Sequence, residues 1–198
     1  KPFDMNFPVI EKDCSDRELQ RRIIDECHSI GDVQENKTNV QANMTGWFMH
    51  ETNNDFMSLC DTAIKVADHN SPTKVLLMPY DCWGVVYHKN DFGKPHDHWP
   101  AIWSWVYNVE CCDDCAPLHF DDANISVRPK NGNMVMFPGW VKHSVPKHQC
   151  DHERIIVAGN LGLNPWWMVN RLDIGREEVS EKYKNIANHS FHKLKHLL

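Results

Sequence analysis

No stretch of the 198-residue sequence approaches the roughly 20 consecutive apolar residues that a membrane-spanning helix requires. The opening segment, KPFDMNFPVIEKD, lacks the apolar core of an export signal, so the expectation is a soluble, cytoplasmic protein with no membrane partner. Basic clusters are missing too. The 21 Lys and Arg residues are scattered among 27 Asp and Glu, the net charge is -6, and nucleic acid is not an expected partner. Internal repeats and low-complexity tracts are absent, and no shift in composition demands a second domain. A single domain over 1–198 follows as the expectation. The eight cysteines would suit a disulfide-stapled secreted chain, but a chain this long can bury a proper core, so reduced thiols are expected. What is present in unusual amount is tryptophan, with eight residues, and histidine, with thirteen. The first belongs to cores and pocket walls; the second raises the prospect of a metal site.

The N-terminal third reads as helical support, about 1–73. Ser15 opens SDRELQRRIIDECHSIG, with Glu18 three residues on as in a capping box, Leu19, Ile23, Ile24 and Cys27 at helical spacing, and Gly31 as a stop. The polar run DVQENKTNVQANMTGW reads as a loop. A second helix follows in NNDFMSLCDTAIKVADHN, with Phe56, Leu59, Cys60, Ala63, Ile64 and Ala67 on one side, and ends at Ser71-Pro72. From Lys74 the texture changes to short β-prone runs: VLLMPYDCWGVVYHKN, IWSWVYNV, APLHFDD, ISVRP, NMVMFPGW, HSVP and RIIVAGNLG. Seven or eight short strands over about 74–163 imply a barrel or sandwich. The segment REEVSEKYKNIANHSFHKLKHLL, within a tail of about 164–198, returns to helical composition and is expected outside the β core. The fold class is therefore mainly β with flanking helices (α+β).

The stretch KPHDHWPAIWSWVYNV places His96 and His98 two residues apart, beside an apolar, β-prone run. In a strand such residues share a face while Asp97 points the other way. Neutral imidazoles suit Fe(II), Zn(II), Ni(II) and Cu(II), and three ligands on one side leave positions open for substrate and oxygen. His143, after the Phe137-Pro138-Gly139 bend, is the best third ligand. Arg154 follows eleven residues later in ERIIVAGN, where a cation at the start of a strand can hold a carboxylate through its planar fork. Taken singly, each of these residues is more often a solvated loop or surface group than a ligand; the ordered set is harder to dismiss.

On these residues the sequence resembles a known family. WGVVYHKNDFGKPHDHWPAIWSWVYNV, APLHF and RPKNGNMVMFPGWVKHSVPKHQCDHERIIVAGNL are similar to the double-stranded β-helix (jelly-roll, cupin-like) core of the Fe(II)/2-oxoglutarate dioxygenases. They are more similar still to a phage and bacterial group of such oxygenases related to prolyl hydroxylases, which the TNVQANMTGW segment also resembles. The specific part is the block Pro129, Gly132, Phe137, Pro138, Trp140 and His143, followed by Glu153-Arg154 and Asn160. The resemblance implies Fe(II) and 2-oxoglutarate as cofactors, dioxygen as cosubstrate, and hydroxylation with release of succinate and carbon dioxide. It puts His96 at the first iron position, His143 at the last, and Arg154 on the distal carboxylate of 2-oxoglutarate. His98 stands where most of the superfamily has Asp or Glu. Three arrangements follow: a three-histidine site, a shifted register that uses Asp97, or a site of lowered iron affinity. Strand alternation favours three histidines. Asn108 takes the place of a tyrosine that contacts the cosubstrate, and its amide can still donate to a carboxylate. Tyr87 is either a pocket-lining or a core aromatic, and Trp99, Trp103, Trp105 and Trp140 are expected as core or pocket wall.

Two competing functions are a three-histidine cupin-type metalloenzyme without 2-oxoglutarate and a non-catalytic β-barrel binding module. Arg154 favours the oxygenase, because a cosubstrate-free cupin has no special need for a cation at that place. In VECCDDCAPLHF, the spacing of Cys112 and Cys115 is that of half a zinc site, which Cys150 with His148 or His152 would complete. An ordinary Asp113-Asp114 turn with small buried thiols is the favoured reading there. No motif names the primary substrate. Oligomeric state is open, since Trp166-Trp167 and the C-terminal helix suit a core or an interface equally.

Overall fold

The computed structural model describes residues 7–34, 39–71 and 75–164. The expected C-terminal helix and Trp166-Trp167 lie outside the described residues. The elements are β1 (Ile10–Asp13), α1 (Arg17–Ile30), β2 (Val40–Gln41), β3 (Asn43–Met44), a short 3-10 turn, α2 (Asn54–Asn70), β4 (Leu77–Tyr87), β5 (Phe92–His96), β6 (Trp103–Glu110), β7 (Leu118–Phe120), β8 (Ile125–Val127), β9 (Asn133–Pro138), β10 (His143–Val145) and β11 (Arg154–Leu163). They form two antiparallel sheets, a larger one in the order β1-β9-β6-β11-β4-β3 and a smaller one in the order β2-β5-β10-β7-β8. This is the jelly-roll core with helices on one side, as expected.

Alternation along the larger sheet explains the layering. Trp103, Trp105, Tyr107 and Val109 of β6, with Ile155, Val157 and Leu161 of β11, join Phe56, Leu59 and Ala63 of α2 and Ile23 of α1 in one core. The intervening Val106, Ile156 and Ala158 face the smaller sheet and pack with Leu118, Phe120 and Val145 in a second. Both faces of the larger sheet are thus covered, which is why its strands read as nearly continuous apolar runs. No helix among the described residues is long and apolar enough to cross a membrane.

Several local expectations change. The cap of α1 is Asp16, not Ser15: the Asp16 carboxylate accepts from the amides of Glu18 and Leu19 at 3.1 and 3.0 Å. The Ser15 hydroxyl is already committed to Asp13, at 2.6 Å. An ionised carboxylate is the stronger acceptor for the orphan amides of a first turn. Gly31 closes the helix as expected, at φ +67° with its amide on the Cys27 carbonyl. The polar run before α2 holds β2 and β3, and β1 pairs with β9, so the N-terminal region supplies edge strands as well as helices. Trp99 and Trp140 are exposed rather than core or wall, at 74% and 41%, whereas Trp103 and Trp105 are buried.

Candidate active site

β5 ends on His96 and β10 begins on His143, and the two are direct partners across the antiparallel pair. Side chains so paired project to the same face, and both line a cavity between the sheets. His98 lines it too, but for a reason other than strand alternation. It lies beyond the end of β5, and its amide is tied to the Gly139 carbonyl at 2.8 Å. Gly139 is required there, because a Cβ would collide with the carbonyl of Ala101. The bend after β9 therefore positions His98 as well as leading into His143.

The three rings stand 4.5 to 5.0 Å apart between centroids, and their donor atoms lie within 4.8 Å of one another. His96 and His143 turn Nδ1 to the backbone carbonyls of Lys94 and Val141, at 2.6 and 3.0 Å. A carbonyl only accepts, so Nδ1 carries the proton and Nε2 keeps its lone pair. Burial, then the neighbouring His143 and His96, push His98 down to about 3. Burial and His96 push His143 down to about 4. Both rings are neutral at neutral pH, which is the ligating form. Asp97 is exposed and points elsewhere, its carboxylate accepting the Trp99 amide at 3.0 Å.

Opposite the histidines, Arg154 opens β11 in register with Tyr87 of β4. It is 1% exposed, its guanidinium carbon lies 5.3 Å from the centre of the Tyr87 ring, and it also lines the cavity. Nε and Nη1 are buried without a hydrogen-bond partner. The adjacent Glu153 does not neutralise it, being bonded to His28 and His88. Burial pulls the guanidinium below its ordinary value, yet an arginine stays protonated in a protein. A buried, partly unpaired cation is costly, and an anion entering the cavity would relieve that cost. The donor sets thus fit a divalent metal on one wall and a carboxylate on the other.

Residues 117–160 match the model of the family described as "Putative 2OG-Fe(II) oxygenase". The matched stretch contains both His143 and Arg154. Over that stretch the chain is similar to the 2OG-Fe(II) oxygenases. Among solved structures, it is similar to the viral collagen prolyl hydroxylase of Paramecium Bursaria Chlorella virus-1, with 13% identity over 81% of this chain and 98% of that one and a TM-score of 0.59. A Pseudomonas putida prolyl-4-hydroxylase gives 14% identity, 80% and 94% coverage and a TM-score of 0.62. HygX from Streptomyces hygroscopicus, with nickel and 2-oxoglutarate bound, gives 10%, 80% and 83%, and 0.60. At these identities the likeness is one of fold. No curated protein sequence matches the chain.

Within this cavity Tyr87 is buried beside Arg154 and forms part of the lining. Asn108 does not line it: its Nδ2 donates to the Asn133 carbonyl at 3.2 Å, and its Oδ1 is buried without a partner. Trp105 does line it, with its indole N–H unpartnered. Sequence reasoning missed Trp83, which borders the cavity with its ring 6.0 Å from that of His98 and its own N–H unpartnered. Alternation with Val85 and Tyr87 along β4 was the available signal. It also missed Ser104, a lining residue whose hydroxyl donates to Asn160, which in turn donates to Asp81.

Proposed function

We propose that the protein is an Fe(II)- and 2-oxoglutarate-dependent dioxygenase that hydroxylates its substrate, with His96, His98 and His143 as the metal ligands and Arg154 as the anchor for the distal carboxylate of 2-oxoglutarate. The observation that carries this reading is the pairing of two complementary features on one cavity: three neutral imidazoles, and a buried arginine with two unpartnered nitrogens. Bound together, iron(II) and 2-oxoglutarate supply an oxidant for C–H bonds, with succinate and carbon dioxide released. The chain's part is to hold, orient and exclude. The Nδ1 bonds of His96 and His143 fix both rings with Nε2 presented, a second layer of orientation characteristic of metal sites. Tyr87 lies against the guanidinium and limits its motion, so that the fork meets a carboxylate in one geometry. Val85, Val106, Ile156 and Ala158 keep the walls apolar and water out.

Three imidazoles bring no negative charge, so the metal keeps its full positive charge and relies on neutral donors. Affinity for iron is then expected to be below that of a site with one carboxylate. A cosubstrate-free cupin leaves Arg154 without a purpose, and a non-catalytic module leaves the histidine cluster without one. The decisive experiment adds Fe(II) and 2-oxoglutarate to the protein under nitrogen and looks for the visible charge-transfer band of the chelate. A band in the native protein that is lost in His143→Ala supports the assignment. Bound iron with no band would shift the reading to the cupin-type enzyme.

A further inference from the structure

A second cluster of soft donors lies away from the cavity. Cys112 and Cys115 come from the connection between β6 and β7, and Cys150 from the connection between β10 and β11. Their sulfurs form a near-equilateral triangle: 3.6 Å between Cys112 and Cys115, and 3.8 Å from each of them to Cys150. The edge of a tetrahedron drawn around zinc at the usual zinc–sulfur distance of about 2.3 Å is about 3.8 Å. The triangle has the size of one face of such a tetrahedron. All three thiols are free. The loops are shaped to bring them together: Cys115 donates its amide to the Cys112 carbonyl at 3.1 Å, closing a tight turn, and the Cys112 amide faces the Cys115 sulfur at 3.3 Å. Cys111, the immediate neighbour, is turned elsewhere, with its thiol on Asn131.

We propose that Cys112, Cys115 and Cys150 bind a zinc ion as three thiolates, a structural site independent of the histidine cluster. Soft sulfur donors in this number select zinc over magnesium, calcium or manganese. The nearest side-chain nitrogen for the fourth corner is His148 Nε2, 3.4 Å from the Cys150 sulfur. His148 is fully buried and bridges the same two loops, accepting the Ala116 amide on Nδ1 at 3.2 Å while Nε2 donates to the His152 carbonyl at 2.6 Å. To ligate through Nε2 it must give up both bonds, because its proton would move to Nδ1, which then no longer accepts from Ala116; otherwise a water completes the tetrahedron. His152 holds its Nε2 on Glu110 at 2.9 Å and turns its backbone carbonyl to the sulfurs, 3.6 Å from Cys150 and 4.0 Å from Cys115. The ion would tie the connection leading into β7 to the one joining His143 with Arg154. Its role is to hold that second connection in place, just ahead of the arginine.

The test measures metal content by mass spectrometry in the native protein, in His143→Ala and in Cys150→Ser. Each is dialysed against a chelator and then treated with a mercurial to release thiolate-bound metal. The expected result is a zinc ion per chain in the first two, freed only by the mercurial, and at least a tenfold loss in Cys150→Ser. Because Cys150→Ser could misfold, cobalt(II) is also added to zinc-depleted His143→Ala, whose three cysteines are intact. An intense near-ultraviolet sulfur-to-cobalt band with tetrahedral visible bands is expected. Absence of that band, full zinc retention in folded Cys150→Ser, or a disulfide between any two of the three cysteines in zinc-free native protein would overturn the proposal. Since His143→Ala keeps the thiols, failure of the iron site and failure of the zinc site give separate signatures.

Discussion

The two sheets contribute unequally to the molecule. The larger is built from strands of up to eleven residues, β4 being the longest, and is covered on both faces. In the smaller sheet the longest strand, β5, has five residues, and β8 is largely exposed. Yet the smaller sheet carries His96 and His143, while the larger carries Tyr87 and Arg154. The cation that would fix the cosubstrate thus rests on the sheet with the longer strands and both faces packed. Two of the three proposed metal ligands, His96 and His143, rest on short strands, and His98 lies just past the end of one; a bound ion would reinforce this part of the fold.

The largest effect that would break this contrast comes from His143→Ala. It removes one ligand and the cross-strand partner of His96, and turnover is expected to fall by roughly two orders of magnitude or more. Metal should also stop protecting the smaller sheet. Hydrogen exchange of native protein is expected to slow in β5 and β10 on adding Ni(II) and to change little in β6 and β11; in the variant neither sheet should respond. Equal protection of both sheets would show that the metal does not act through the short strands.

A smaller effect tests the other wall. Arg154→Lys keeps a charge but loses the fork. The concentration of 2-oxoglutarate needed for half-maximal succinate formation should rise roughly 10- to 100-fold, the equivalent of one or two charged hydrogen bonds. Metal affinity should stay unchanged. If the titrations moved the other way round, Arg154 would serve the metal side rather than the cosubstrate.

What could be read in advance follows the same division. The long strands of the larger sheet were legible because their apolar content is dense and uninterrupted, and the helices because Ile23, Phe56 and Leu59 repeat at helical spacing. β1, β2 and β3 were not, since edge strands of two to four residues are too short to show a period. The histidines and Arg154 were found through their order along the chain, but the aim of His98 was inferred for the wrong reason. Its position depends on a bond to Gly139, forty-one residues away, which no local pattern encodes. The thiol cluster was half visible as Cys112-x-x-Cys115; Cys150 lies 35 residues beyond the pair, and only the fold brings it close. Exposure of Trp99 and Trp140 was unreadable because turns carry no periodicity.

The smallest effect distinguishes the sheets by the sign of their response to acid. On the larger sheet, burial raises the Asp81 carboxyl to about 6, against hydrogen bonds from Asn160 that lower it. Between the ordinary carboxylate value and about 6, the folded chain holds a proton that the unfolded chain has lost. This contribution to stability is therefore present in acid and disappears as pH rises through about 6. On the metal-free cavity wall, His98 and His143 are depressed to about 3 and about 4. There the unfolded chain takes up protons first, so their contribution is present at neutral pH and is lost as pH falls toward those values. Asp81→Asn keeps an oxygen for Asn160 and removes the charge. It should be more stable than native protein at alkaline pH, by on the order of 1 kcal/mol after allowance for solvent screening. Below the histidines' ordinary range it should lose stability more steeply, because nothing then offsets them. Urea unfolding across a pH series checks both arms. A variant destabilised by the same amount at every pH would place the importance of Asp81 in its hydrogen bond to Asn160 and not in its proton.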